Sequence, residues 1–174
     1  SSDPMQRRII YITGGARSGK SRYAQTLAES LSDHPIYLAT ARIMDEDFER
    51  RVERHRRARG EQWTTVEEPL RLSDHDLTGQ VVLMDCVTLW LTNLYDEHGY
   101  DMDETLRAAT SEWDRFVARD MTLIVVSNEL GMGLHASSES ARHFVDLQGW
   151  VNQHIAASAE EAFFMVSGIA MRLK

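Results

Sequence analysis

A single cysteine, Cys86, in a chain of 174 residues excludes an internal disulfide. Proline is scarce at three residues, and no Pro/Gly-rich linker, low-complexity tract or internal repeat divides the chain. With 43% apolar residues, one compact domain over residues 5–174 is expected, because two cores would be crowded at this length. No apolar run approaches the ~20 residues that cross a bilayer, so no membrane span is expected. Positive charge is the minority sign: 19 Lys and Arg against 27 Asp and Glu leave a net charge of -8. That balance disfavours a general nucleic-acid or anionic-membrane surface. Ser1-Ser2-Asp3-Pro4 before Met5 reads as an expression scar rather than a signal peptide, and a cytoplasmic location is expected.

What is present is more specific. Ile9-Ile10-Tyr11-Ile12 leads into Gly14-Gly15-Ala16-Arg17-Ser18-Gly19-Lys20-Ser21, after which helical periodicity begins. This is the phosphate loop in its proper context of strand, glycine-rich turn and helix. Glycine lets the backbone turn sharply so that its N–H groups converge on phosphate oxygens; Lys20 can reach the terminal phosphates and the Ser21 hydroxyl can ligate Mg²⁺. The positive end of the following helix dipole acts on the same anion. The bland alternative is a glycine-rich turn that only starts a helix.

Short β-rich runs recur at 8–13, 36–39, 81–85, 123–127 and 162–167, and read as buried parallel strands. Between them, 21–32 (Tyr23, Leu27, Leu31), 45–59, 102–119 and 138–159 have helical periodicity. The alternation implies an α/β fold: a mostly parallel sheet with helices on both faces. Val81-Val82-Leu83-Met84-Asp85 ends in a carboxylate where open α/β sheets bind ligands. Asp85 therefore admits two readings, a turn-forming residue or a Mg²⁺ partner to Ser21, and the phosphate loop upstream favours the second.

Segment 45–59 is the other unusual stretch. Arg50, Arg51, Arg54, Arg56, Arg57 and Arg59 crowd together in an otherwise acidic protein, after acidic residues placed as a helix dipole favours. Glu46/Arg50, Asp47/Arg51 and Glu53/Arg57 are spaced as surface pairs. Phe48, Val52 and His55 share one face, which predicts an inward-facing His55. Such a histidine is either a hydrogen-bonded core residue or, beside guanidinium groups that favour a neutral imidazole and can hold a phosphate, a nucleophile toward phosphorus. The arginines themselves are either a phosphate site, a solvated face or a docking patch for an acidic partner.

Taken together these residues resemble the bifunctional adenosylcobinamide kinase/adenosylcobinamide-phosphate guanylyltransferases of cobalamin biosynthesis. The resemblance runs from Arg8 through the phosphate loop, Tyr37-Leu38-Ala39-Thr40-Ala41, Arg51 to Arg56, and Trp63 to Glu67. It continues through Asp85 to Leu94, Ser127 to Gly133, Arg142-His143-Phe144, Gly149 with Asn152-Gln153, and Val166-Ser167-Gly168-Ile169. It implies a RecA-like P-loop NTPase fold, a homotrimer, and two reactions at one site with Mg²⁺. A γ-phosphoryl group passes from ATP or GTP to the hydroxyl of adenosylcobinamide. GMP then passes from GTP, through a GMP-histidine, to adenosylcobinamide phosphate. His55 matches the guanylylated histidine; Ala39, Thr40, Ala41, Arg56, Arg57, Ala58, Arg59, Glu67 and Asp85 match nucleotide-site positions. Departures fall at Leu134-His135-Ala136, which lacks the usual proline, at Phe144-Val145-Asp146 and at Ala159-Glu160-Glu161.

Other residues stay secondary. The remaining histidines lack a tight metal-ligand spacing, and Cys86 reads as a small buried apolar residue. Trp90, Leu91 and Leu94 read as core or a subunit contact, with a corrinoid-facing surface as the sharper alternative. Glu129, at a strand end, is a candidate base for the substrate hydroxyl or a water-bridged metal contact. Two simpler functions stay open: a monofunctional P-loop small-molecule kinase, and a non-catalytic nucleotide switch.

Overall fold

The structure, a computed structural model, describes residues 6–42, 45–132 and 136–174. Of the segment Leu134-His135-Ala136, only Ala136 lies within the described residues. Among the described residues, seven strands, β1 (Arg8–Gly14), β2 (Ile36–Ala39), β3 (Thr64–Glu67), β4 (Val81–Asp85), β5 (Thr122–Asn128), β6 (Glu161–Val166) and β7 (Ile169–Arg172), form one sheet in the order β3-β2-β4-β5-β1-β6-β7. All neighbours are parallel except β6 and β7. The α-helices among the described residues are α1 (Lys20–Leu31), α2 (Glu46–Ala58), α3 (Val87–Glu97), α4 (Met102–Phe116) and α5 (Glu139–Ser158).

Because side chains alternate along a strand, the sheet feeds two cores. Ile10, Ile12, Leu83, Ile124 and Val126 pack with Ala24 and Ala28 of α1. Ile9, Tyr11, Val82, Met84, Leu123 and Val125 pack with α3, α4 and α5 through Trp90, Leu91, Trp113, Phe116, Leu147 and Val151. Trp90, Leu91 and Leu94 are buried, so the corrinoid-facing reading of these three is set aside. No described helix is long and apolar enough to cross a membrane.

Two strands were not expected from local pattern. β3 (Thr-Thr-Val-Glu) and β7 are four-residue edge strands with largely exposed side chains, so neither has the apolar run of a buried strand. α3 begins directly after β4, with only Cys86 between, and lacks a side-chain cap. The apolar stripe of α1 also differs from expectation. Lys20, Ala24 and Ala28 are its buried line, whereas Tyr23 and Leu27 are half-buried and Leu31 is exposed. Small residues let the helix lie close to the sheet, and its larger side chains flank the contact.

Candidate functional site

The phosphate loop bridges β1 and α1. Gly14 ends the strand where an added Cβ would meet Ser18 Oγ at 2.6 Å and the Met165 carbonyl oxygen at 2.8 Å, so only glycine fits there. Gly19 has φ +96, the left-handed region that disfavours side chains. Gly15, Ala16 and Arg17 are exposed at the crest, whereas Ser18 and Lys20 are buried. Lys20 Nζ donates to the Gly15 carbonyl at 2.8 Å, so the ammonium spans the loop. Burial lowers its pKa below the ordinary lysine range, opposed by Cys86 and Asp85. The β6–β7 turn braces the loop: Gly168 N–H donates to the Ser18 carbonyl at 2.8 Å. That contact gives the Val166-Ser167-Gly168-Ile169 segment a physical role that its sequence alone did not reveal.

Beside the loop lies a cleft of about 330 Å³, within the usual range of ligand pockets. Its floor follows from strand register. Tyr37 pairs with Thr65 on one side and Leu83 on the other; two residues on, Ala39 pairs with Glu67 and Asp85. A period of two puts both rungs on one face, and all six residues line the cleft. Ser21 and Gln25 of α1 form one wall, and Ala41 and Leu89 add to the rim.

The roof is α2, whose Phe48, Arg51, Val52, His55, Arg56 and Ala58, with Arg59 just beyond, line the same cleft. Asp45 caps this helix by accepting from the Phe48 N–H at 2.7 Å. Arg50 pairs with Glu46 at 3.9 Å and with Asp47, and Arg57 pairs with Glu53 at 3.5 Å. The expected Asp47/Arg51 pair thus gives way to Asp47/Arg50.

The expected inward orientation of His55 needs correction. Phe48, Val52 and His55 do share a face, but α2 buries none of its residues, and that face looks onto an open cleft rather than a core. His55 is exposed. Three other expected site residues fall differently. Arg57 does not line the cleft, because two residues from His55 the helix has turned away. Thr40 is fully buried, and its Oγ1 donates to the Cys86 carbonyl at 2.7 Å and accepts from the Cys86 N–H at 2.9 Å. Arg54 is exposed outside the lining. Ser21, Ala39, Ala41, His55, Arg56, Ala58, Arg59, Glu67 and Asp85 are brought together around one space.

Sequence reasoning missed Tyr37, Thr65, Gln25, Leu83 and Leu89 as lining residues and read Arg51 only as a member of the arginine cluster. Tyr37 and Ala39 are two apart on one strand, a spacing that placed them on one face; Thr65 needed β3 to be recognised first. Cys86 is buried at the start of α3, and burial raises its thiol pKa to about 11, consistent with a packing residue.

A phosphate loop between a central parallel strand and its helix, with a carboxylate at the end of β4 one strand removed across β5, defines a P-loop nucleotide-binding α/β protein. The family model described as cobinamide kinase / cobinamide phosphate guanyltransferase matches residues 10–173. The bifunctional adenosylcobalamin biosynthesis protein CobU of Escherichia coli (strain K12) is 39% identical, covering 95% of this chain and 99% of that protein. CobP of Pseudomonas aeruginosa, of the same description, is 40% identical over 94% of this chain and 95% of its own length. The chain belongs to the cobinamide kinase / cobinamide phosphate guanyltransferase family. Among solved structures, the flagellar accessory protein FlaH from Methanocaldococcus jannaschii aligns with a TM-score of 0.49 at 14% identity, covering 98% of this chain and 80% of FlaH. A solved ATPase domain aligns with a TM-score of 0.45 at 12% identity, covering 92% of this chain and 69% of that one.

Proposed function

We propose that this chain carries out both reactions of its family at the cleft described above. In the first, the hydroxyl of adenosylcobinamide attacks the γ-phosphorus of ATP or GTP; an O–P bond forms, the bond to the bridging oxygen breaks, and the nucleoside diphosphate leaves. In the second, an imidazole nitrogen of His55 attacks the α-phosphorus of GTP, forming a P–N bond and releasing pyrophosphate. A phosphate oxygen of adenosylcobinamide phosphate then attacks that phosphorus, frees His55 and yields adenosylcobinamide-GDP. The observation that carries this reading is that His55 lines one cleft with Ser21, Asp85 and three guanidinium-bearing residues, Arg51, Arg56 and Arg59.

The loop Gly14 to Lys20 would cradle the triphosphate through backbone N–H groups, and the Lys20 ammonium would offset charge that develops on it. Arg51, Arg56 and Arg59 would neutralise the phosphate that His55 attacks. Glu67 and Ala39 lie across the floor from α2 and would contact the nucleoside. Mg²⁺ suits the donor set. The Ser21 hydroxyl and the Asp85 carboxylate both line the cleft, and no group of three His, Cys, Asp or Glu residues among the described ones forms an all-protein cage. A cation held by one carboxylate, a hydroxyl and substrate phosphates is the usual Mg²⁺ arrangement, and when bound it supplies charge neutralisation of the phosphates.

The two reactions attack different phosphorus atoms, so the nucleotide needs two poses. Helix α2, which buries no residue, is the element that shifts between them. Trapped structures of the two states with α2 superimposed would defeat this. A homotrimer, implied by the resemblance, would also cover Ile169, Met171 and Leu173, which are exposed at 71%, 54% and 59% along the β7 edge; light scattering of the purified protein reads its mass.

The decisive experiment is the intact mass of the protein after incubation with GTP and Mg²⁺, alongside His55→Ala. A gain of one GMP, lost on mild acid treatment and absent from the variant, is expected. GTP binding without an adduct would leave the simpler P-loop kinase.

A further inference from the structure

Tyr37 is a half-buried tyrosine in the floor of the cleft for which substrate chemistry has no evident use, yet three site elements meet on it. Two of the three, Asp85 and Arg59, line the cleft, and Trp63 lies outside its lining. The Tyr37 hydroxyl donates to Asp85 Oδ2 at 2.6 Å. The Arg59 guanidinium carbon stands 3.4 Å from its ring centroid, a close cation–π stack. Trp63 meets the ring edge-on at 6.2 Å and 78° and holds it from behind. Arg59 is the residue that ends α2, four residues after His55.

The surroundings make this contact consequential. Helix α2 has no residue buried in a core, so its seat on the sheet depends on what its ends hold. Arg59 is half-buried and its Nε is buried without a hydrogen-bond partner, which leaves the ring as a principal contact of this guanidinium. Burial lowers its pKa, opposed by Tyr37 and Asp85. Tyr37 also belongs to the strand register that carries Ala39 and Asp85, so the ring is as fixed as the sheet.

We infer that Tyr37 is a positioning residue. Its ring seats Arg59, and so fixes α2 in the pose that turns His55 toward the cleft, while its hydroxyl orients the Asp85 carboxylate. The inference rests on the proposed guanylylation of His55. It implies that the stack matters more for the step at His55, which α2 carries, than for phosphoryl transfer, which draws chiefly on the loop and Asp85.

Two substitutions separate the parts. Tyr37→Phe keeps the ring and loses the hydroxyl; Tyr37→Leu loses both, so the difference between the variants isolates the stack. Three quantities are measured in each: the initial rate of GMP-adduct formation with GTP and Mg²⁺, the rate of ATP-dependent phosphorylation of adenosylcobinamide, and amide hydrogen exchange across residues 46–58. Relative to Tyr37→Phe, Tyr37→Leu is expected to form the adduct about tenfold more slowly, the size of one partly desolvated cation–π contact. Its ratio of adduct rate to phosphorylation rate should be lower than that of the Phe variant, so that the two rates separate rather than fall together. Exchange across α2 should be faster in Tyr37→Leu alone. Equal adduct rates in the two variants, or a parallel fall of both reactions, would overturn the role. If the unaltered protein forms no adduct, the His55 reading fails and exchange decides this one: unchanged protection of α2 in Tyr37→Leu removes the seat as well.

Discussion

Helices α1 and α2 flank the same cleft, yet they are held in opposite ways. α1 is anchored along a buried line, Lys20, Ala24 and Ala28, against the sheet, and its first residue is tied to the phosphate loop. α2 has no fully buried residue, Phe48 and Val52 being half-buried; it is capped by Asp45 and rests through Arg59 on Tyr37. The difference fits the work proposed for each. A loop that must match the geometry of a triphosphate gains from a rigid helix, because charge stabilisation is strongest where donors need not reorganise. A histidine that engages the nucleotide in one step and yields in the other belongs on an element with little burial to lose.

Exchanging the chemistry that the two helices carry would break the comparison most severely. His55→Ala is expected to abolish the GMP adduct while ATP-dependent phosphorylation continues. Lys20→Ala is expected to lower both reactions by about 10²- to 10³-fold, because its charge is proposed to serve both. Initial rates of both variants check this, and an equal loss of both reactions in His55→Ala would erase the division between the helices.

Packing gives the next effect. Ala28 is fully buried, and Ala28→Leu should cost about 1–3 kcal/mol through overpacking. The cost should appear as a fall in Tm of about 2–4 °C per kcal/mol. Arg54→Leu, on the exposed side of α2, should stay within about 0.5 kcal/mol. A comparable Tm fall in both variants would mean that α2 is anchored after all.

Asp45→Ala sharpens the contrast further. Losing the cap should destabilise α2 by about 1 kcal/mol. The loss should appear as faster amide exchange across 46–58, with the global Tm unmoved; a lowered Tm would tie α2 to the main cooperative unit.

The smallest effect lies away from both helices and serves as a control on the sheet. Arg8 donates to Glu161 through Nε at 2.7 Å and Nη2 at 3.1 Å, a two-point pair that joins β1 to β6. The hydrogen bond from Arg8 is the foremost cause holding the Glu161 carboxyl below its ordinary pKa, against the opposing effect of burial. A depressed carboxylate contributes stability that is fully present above its unfolded value of about 4.3 and is lost as pH falls through the folded value. Glu161→Gln should therefore cost about 0.5 kcal/mol near neutrality, since Arg8 is partly solvated, and progressively less toward pH 3. Chemical denaturation at both pH values reads the difference, and a pH-independent cost would assign the effect to packing.

The main strands were legible because apolar runs of five or so residues between helical segments have few other uses: β2 and β4 coincide with the expected 36–39 and 81–85. β3 and β7 were not, since an edge strand of four residues is stabilised by the neighbour it joins rather than by its own pattern. His55 was legible as a residue of interest from the arginines around it, and its helical face with Phe48 and Val52 was right. What that face met was not legible, because a hydrophobic stripe says that a side chain seeks cover and not whether a core or a ligand cleft provides it.

Sequence alone determined the phosphate loop, whose spacing of glycines, Lys20 and Ser21 is a local requirement of wrapping backbone around an anion. It determined the parallel α/β alternation, and it matched the family across nearly the whole length. Tertiary structure decided which residues share a space. Register across β3, β2 and β4 set Glu67, Ala39 and Asp85 on one rung, with Thr65, Tyr37 and Leu83 two residues earlier. The turn at Gly168 came to brace a loop about 150 residues away. Arg59 came to rest on Tyr37 rather than on an acid. These contacts join residues distant in the chain, and a local pattern carries no information about the partner that a sheet brings to it.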